Sequence, residues 1–431
     1  MKGDISMFRR LLILAVLFLS LLIISACQNT GDEASVYGNG GTTLTLWHIQ
    51  TGNSEEVINN AVARFEEKHE GVNVEVIKQE NDPYKTKLSV AMGGGTPPDV
   101  FHSWGGGWLE NFVNAGQVRE LTDEIDTSNY LDAALSPLVF DDKVYGAPLG
   151  IKIVPVWYNK DIFSEYGLRE PETYEELLSI IDTLKSNDIT PFALANQTKW
   201  PGAFYLMYFA ERIGGQDLFY EAFNRKGRDF SDEAYVEAGT KIQELVEMGA
   251  FPEGVNGMNY DTGQSKQLIY SEKAAMEIQT DSYLDNIRSE APEFEEKLGF
   301  FAFPSIDGGE GSSNHLVGGV SPTFSVSENS EHGELATELV KELTSIETAT
   351  EYSDHGGGVS GVKGVEYTDP FVKELNVLLE EAEYLQTYYD QTLPPELATS
   401  HLDTTQALFG LSMTPEEAAK EVESKAKKIL E

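Results

Sequence analysis

The chain has 431 residues, 41% of them hydrophobic and 10% aromatic, enough to bury a sizeable core and more than a single small domain needs. Its formal net charge of −40 disfavours nucleic acid and anionic ligands, and no basic stretch with interleaved aromatics occurs; the acidity suits an exposed protein in saline or alkaline surroundings. Cys27 is the sole cysteine, which excludes an intramolecular disulfide and any metal site built on two thiols.

The first elements are those of export. Lys2, Arg9 and Arg10 form a basic start, and Leu11 to Ile24 an apolar run shorter than the ~20 residues that span a bilayer, so residues 1–26 read as a signal peptide. Ile24-Ser25-Ala26-Cys27 resembles the lipobox of bacterial lipoproteins, which implies a lipid on the Cys27 thiol and anchoring at the membrane surface. An ordinary signal peptide followed by a chance cysteine is the alternative. Residues 28–42, polar and glycine-rich, have the composition of a flexible tether, so residues 27–42 form the lipidated Cys and its linker. Loss of Lys2, Asp4, Arg9 and Arg10 with the leader leaves 28 basic against 70 acidic residues, a net charge of −42.

The folded body is expected to begin near Thr43. LTLWHI (44–49) reads as a strand, and 54–69 as an amphipathic helix with Ser54 as N-cap and Val57, Ile58, Ala61, Val62 and Phe65 on one face. VNVEVIK (72–78) is a second strand, PYKTKLSVAMGGG a helix stopped by glycine, and TPPDVFHS a turn into a third strand. This alternation predicts a parallel sheet flanked by helices, with ligands at the carboxyl ends of its strands. After YGAPLGIKIVPVWYNK (145–160) the texture changes to long helices at 173–186, 202–215 and 231–249, which places a lobe boundary near residue 151. Extended pieces follow at 299–304 and 315–327, then a helix at 334–343, and the C-terminal hundred residues read as largely helical.

Several stretches together resemble the extracellular solute-binding proteins of the carbohydrate-binding family, the capture components of ABC importers. They are LTLWHIQTG, ARFEEKHEGVNVEVI, AMGGGTPPDVFHSWGGG, YGAPLGIKIVPVWYNKDIF, TYEELLSIIDTLK, QSKQLIYSEKAAMEIQTDSY and GGVSPTFSVSENSEHGELATELVKEL, in the family's order over nearly all of residues 43–431. WGGGW and NQTKWPGAFYLMYFAERIGG are nearest to its oligosaccharide-binding branch, which takes xylo-, galacto- or gluco-oligosaccharides. The resemblance implies an α/β, two-lobed periplasmic-binding-protein-like fold, each lobe a mostly parallel sheet flanked by helices, with the ligand cleft between lobes. It implies an N-terminal lobe of 43–150 plus 317–354 and a C-terminal lobe of 151–316 plus 355–431. It further implies a monomer without cofactor on the extracellular face of the membrane, delivering an oligosaccharide to ABC permease transmembrane subunits.

Sugar sites pair aromatic faces with short polar groups and backbone donors. Trp104 is therefore a candidate platform, with Gly105 and Gly106 as an open backbone approach and Trp108 in the core; the alternative makes both indoles core plugs beside a glycine turn. Trp47 and His48 end the first strand, as ligand contacts or as a cap on the sheet. Lys152, a cation in the apolar run PLGIKIVPVWY, is either a sugar contact in the crossing segment or a salt-bridged structural lysine. Trp200, in the loop NQTKWPG, is the candidate platform of the second lobe. The stretch QTDSYLD departs from the family pattern of a tryptophan after a small residue, so Asp281 and Tyr283 are candidates in its place. Gly319 and Gly357 line the cleft by bare backbone or serve as hinge glycines.

Enzymatic readings find little support: no G-x-S-x-G, P-loop or H-E-x-x-H occurs, and no carboxylate pair stands out among 71. No metal site is expected from His48 and His102, although both end strands. The expectation is a non-enzymatic binding protein for a neutral oligosaccharide. A surface lipoprotein glycoside hydrolase and a binder of a non-sugar solute are the alternatives.

Overall fold

Hydrophobic alternation sets the first strand of the computed structural model: in β1 (Thr42–His48) Leu44, Leu46 and His48 are buried and the residues between them are not. The structure describes residues 41–431, and the signal peptide, Cys27 and the tether up to residue 40 lie outside the described residues. The following helix, Gly52–Lys68, buries Val57, Ile58, Ala61, Val62 and Phe65, the stripe its periodicity predicts. It starts before Ser54: Thr51 is the N-cap and makes no side-chain cap, because a carboxylate from a distant helix takes that role, as described below. Then come β2 (Val72–Lys78), the Asn81–Gly94 helix closed by Gly95 in the left-handed region, and β3 (Val100–Ser103).

The remaining strands are short. They are β4 (Val139–Phe140), β5 (Lys143–Val144), β6 (Ala147–Pro148), β7 (Ile151–Ile153), β8 (Val156–Asn159) and β9 (Thr190–Phe192). After them follow β10 (Ala274–Ile278), β11 (Leu298–Phe301), β12 (His315–Val320), β13 (Thr323–Val326) and β14 (Tyr384–Thr387). Among the described residues they form a five-stranded sheet β2-β1-β3-β13-β6, a four-stranded sheet β11-β8-β10-β9, a three-stranded sheet β14-β12-β7 and the β4–β5 hairpin.

The sheets are mixed where mostly parallel ones were expected. β1–β3 and β9–β10 are parallel, but β13 runs antiparallel to β3 and β6, and β8 antiparallel to β10 and β11. The cause is the chain path. From the five-stranded sheet it leaves through β6 and β7 into β8, and it returns from β11 through β12 into β13, so each sheet accepts a strand running against its own βαβ units.

Each large sheet has its own core. Leu44, Leu46, Val100, Phe324 and Val326 pack with Val57, Ile58, Leu339 and Val340 of the flanking helices. On the other sheet, Val156, Phe192 and Met276 pack under the Tyr174–Ser186, Trp200–Gly214 and Glu233–Glu247 helices. The Tyr174–Ser186 helix opens with a capping box between Thr173 and Glu176. The Trp200–Gly214 helix is apolar nearly all round and correspondingly buried on nearly every face. This is a two-lobed α/β architecture, and no helix among the described residues is long and apolar enough to cross a membrane.

Candidate functional site

The carboxyl ends of six strands converge on one cleft of about 1180 Å³, open to solvent. β1 contributes Gln50 and Thr51, β2 Glu80, and β3 Trp104; from the facing side β9 leads to Trp200, β10 to Gln279 and Thr280, and β14 to Tyr388. Lys152 and Ser321, from the crossing segments, lie between them. Loops at strand ends are free of the ladder's hydrogen bonding, so their side chains and backbone can turn to a ligand.

The two predicted platforms both line this cleft but differ in environment. Trp200 is half-buried and is the first residue of its helix instead of part of the loop before it; Lys199, with φ at +67°, turns the chain into that helix. Its ring makes T-shaped contacts with Tyr260 and Phe204, at centroid distances of 4.7 and 5.5 Å. Trp104 is 95% buried, with its 5% exposure at the cleft, and it forms edge contacts with His102, Trp108 and Tyr84 at 4.6, 5.0 and 5.7 Å. Lys85 Nζ stands 4.9 Å from its ring centroid. Trp108 is buried in the same cluster, as expected.

Each lysine of the cleft wall is matched by a carboxylate. Lys85 lies 3.2 Å from Asp390, Lys152 3.5 Å from Asp281, and Lys266 pairs with Glu290. Lys152 is buried; it donates to the Tyr352 hydroxyl at 2.7 Å and to the Gly357 carbonyl. Burial opposes its charge, but Asp281 and Tyr352 outweigh that and hold the ammonium above its ordinary pKa. Asp285 accepts from the N–H groups of Asn53 and Ser54, both at 3.0 Å, so it caps the Gly52–Lys68 helix from the far side of the cleft.

Several candidates sit away from the cleft lining. His48 is buried on the core face of β1 with its Nδ1 accepting the Gln50 N–H at 3.1 Å; burial, then Lys78, lowers its pKa to about 4, so it stays neutral. The parallel register continues to place His48 beside His102, also buried and neutral, and no metal-binding cluster is found among the described residues. Trp47 packs against the Trp104 cluster outside the cleft lining. Asp281 is fully buried behind the lining as the partner of Lys152. Tyr283 is a core residue: its ring lies 5.7 Å from that of Trp157 and its hydroxyl donates to Glu277 at 2.8 Å.

The glycines are close-packing sites. A Cβ on Gly105 would lie 2.7 Å from the Pro137 carbonyl oxygen, and one on Gly106 2.6 Å from that of Gln391, both at positive φ. At Gly319 and Gly357 a Cβ would meet the rings of Tyr388 and Tyr352, each at 2.5 Å. These four positions let rings and backbone from distant parts of the chain approach.

Sequence reasoning missed Gln279, Tyr388, Tyr260, Asp285 and the Lys85–Asp390 pair. Gln279 directly follows the buried strand AAMEI, and that position was a usable signal. Tyr388 and Asp390 carried none, because their place beside the cleft comes from β14 pairing with β12, with Leu316 and Leu385 partnered although 69 positions apart in sequence.

Comparison with known proteins agrees with this geometry. The chain is 24% identical over 363 residues to the multiple sugar-binding protein of Streptococcus mutans, covering 83% of this chain and 84% of that one. It is 27% identical over 330 residues to the galactooligosaccharide-binding protein of Bacillus subtilis, covering 74% and 72%. Among solved structures, one from work on xylan utilization by the thermophilic bacterium Caldanaerobius polysaccharolyticus superposes with a TM-score of 0.83 at 28% identity, over 89% of this chain and 99% of that one. The family model for bacterial extracellular solute-binding proteins matches residues 51–350. The chain belongs to the bacterial extracellular solute-binding protein family.

Proposed function

We propose that this protein captures a neutral oligosaccharide, of the xylo-, galacto- or gluco-oligosaccharide type, and delivers it to an ABC permease without chemical conversion. The observation that carries this reading is the pairing of an accessible indole, Trp200, with a cleft whose lysines are each neutralised by a carboxylate. Such a wall offers C–H stacking and dipolar hydrogen bonds but no lysine left uncompensated for an anionic ligand. The relatives whose names refer to multiple sugars and galactooligosaccharides support the same class.

The lobes in this reading are 43–150 plus 317–354 and 151–316 plus 355–431, joined by the three crossings near β7, β12 and residues 355–362. A ligand touching both lobes stabilises the closed state by its differential affinity for that state. The mature protein is a monomer held by lipid on Cys27 at the extracellular face of the membrane.

The test is calorimetric titration of residues 43–431 with xylotriose, galactotriose and maltotriose, alongside a thermal-shift screen. At least one sugar is expected to bind and to raise Tm, and Trp200→Ala is expected to weaken that binding at least tenfold. Release of shorter sugars by the purified protein, or silence toward every neutral oligosaccharide, overturns the reading.

A further inference from the structure

Four residues of the cleft wall bury a polar atom that has no hydrogen-bond partner: the acceptor Asn81 Oδ1 and three donors, Trp200 Nε1, Gln279 Nε2 and Tyr388 Oη. Unpaired buried atoms also occur in the core, Tyr205 Oη and Asn159 Nδ2 among them, but these three donors stand on a cleft from which a partner outside the chain can reach them.

Two of the three are fixed in place. Gln279 Oε1 accepts the N–H of Thr280 at 2.9 Å, which orients the amide and leaves Nε2 as its uncommitted end. The backbone carbonyl of the same residue accepts from Trp157 Nε1 at 3.0 Å, so the residue is anchored at both levels. The Tyr388 ring lies against Phe204 at 5.6 Å and occupies the space that a side chain at 319 would fill; its N–H donates to the Gly318 carbonyl at 3.1 Å. Burial keeps its phenol well above the ordinary pKa, so the hydroxyl retains its proton and can donate.

We infer that Gln279 and Tyr388 are specificity-determining donors of the cleft, reading acceptor oxygens of a neutral sugar whose ring is carried by Trp200. This rests on the oligosaccharide reading above. Rigid donors that find no acceptor reject a ligand lacking the matching oxygen, whereas stacking alone tolerates its loss. The two residues thus supply discrimination, and the indole supplies area. Gly319 contributes indirectly by admitting the Tyr388 ring.

The experiment compares Tyr388→Phe and Gln279→Glu with the unaltered protein, by calorimetric titration with the best of the three trisaccharides and by thermal unfolding without ligand. Because the removed groups pair with nothing in the unliganded chain, the ligand-free Tm of Tyr388→Phe is expected to stay unchanged while affinity falls at least tenfold. Gln279→Glu keeps the acceptor for Thr280 and loses the free donor, with the same expected loss. Tyr388→Phe should also lose preference for the parent sugar over its monodeoxy analogues. Binding within twofold of the unaltered protein in both variants, with Trp200→Ala still impaired, overturns this inference and leaves the proposed function standing. A ligand-free Tm drop with undiminished affinity assigns the two residues a structural role and overturns it equally. Failure of the unaltered protein to bind any neutral oligosaccharide overturns both.

Discussion

The Asp285 carboxylate accepts the Ser54 backbone N–H at 3.0 Å although 231 positions separate them in sequence. The N-terminus of the Gly52–Lys68 helix is thus capped by the helix that follows β10, across the cleft. Opening the cleft breaks this contact. Asp285→Ala is therefore expected to shift the unliganded protein toward open forms, read as a larger radius of gyration by small-angle scattering, with a stability loss of about 0.5–2 kcal/mol typical of a lost cap. Gly52→Ala should act in the same direction while keeping the carboxylate in the chain, since its Cβ would lie 2.8 Å from Ser289 Oγ and 3.2 Å from Asp285 Oδ1 at a φ of +60°. An unchanged radius in both variants rejects the clasp.

Lys152 and Asp281 form a buried pair, and removing one partner strands the other. Lys152→Met is expected to cost about 3–5 kcal/mol in denaturant unfolding, the range for an uncompensated buried charge. Combining it with Asp281→Asn should recover a large part of that loss. A double variant as unstable as the sum of the single ones contradicts the coupling.

Glu277 gives the protein a pH dependence of definite sign. Burial raises its pKa from 4.5 to about 7, against hydrogen bonds from Ser265 and Tyr283 and the charge of Lys266. The folded state binds this proton more tightly than the unfolded one, so its contribution is complete below pH 4.5 and is lost as pH rises through about 7. The neutral buried His48, with its pKa lowered to about 4, works oppositely: its contribution is present above pH 6.5 and fades as pH falls toward 4. Glu277→Gln should accordingly raise Tm relative to the unaltered protein at pH 8 and lose that advantage at pH 5. Parallel Tm–pH curves for the two proteins would refute this.

The two cleft indoles are predicted to fail differently. Trp104 is packed against three rings, so Trp104→Ala should lower stability by about 3–5 kcal/mol, as deleting a large core aromatic does. Trp200→Ala removes a half-buried ring and should lower Tm far less while weakening sugar binding more. Equal Tm losses from the two substitutions would contradict this division.

What the sequence made legible follows from the range of the interactions involved. The Val57, Ile58, Ala61, Val62, Phe65 stripe is a local pattern, and it stands where the spacing puts it. Trp104, Lys152 and Trp200 were legible as cleft residues because strand-end position and a cation in an apolar run are local signals too. The roles of the glycines were not, since what surrounds Gly106 is the Gln391 carbonyl and what surrounds Gly319 is Tyr388. The start of the Gly52–Lys68 helix was misread for the same reason: Ser54 looked like its own cap, and Asp285 supplies one from a distance.

The position of β13 between β3 and β6 carries a consequence for how the chain is made. Until residues 323–326 are available, β3 has an unfilled hydrogen-bonding edge, and Val100 lacks the Val326 that lies opposite it in the finished sheet. A nascent segment ending anywhere before β13 cannot complete its first sheet, whatever its local propensities. Completion of the first sheet thus waits on a strand from the last third of the chain.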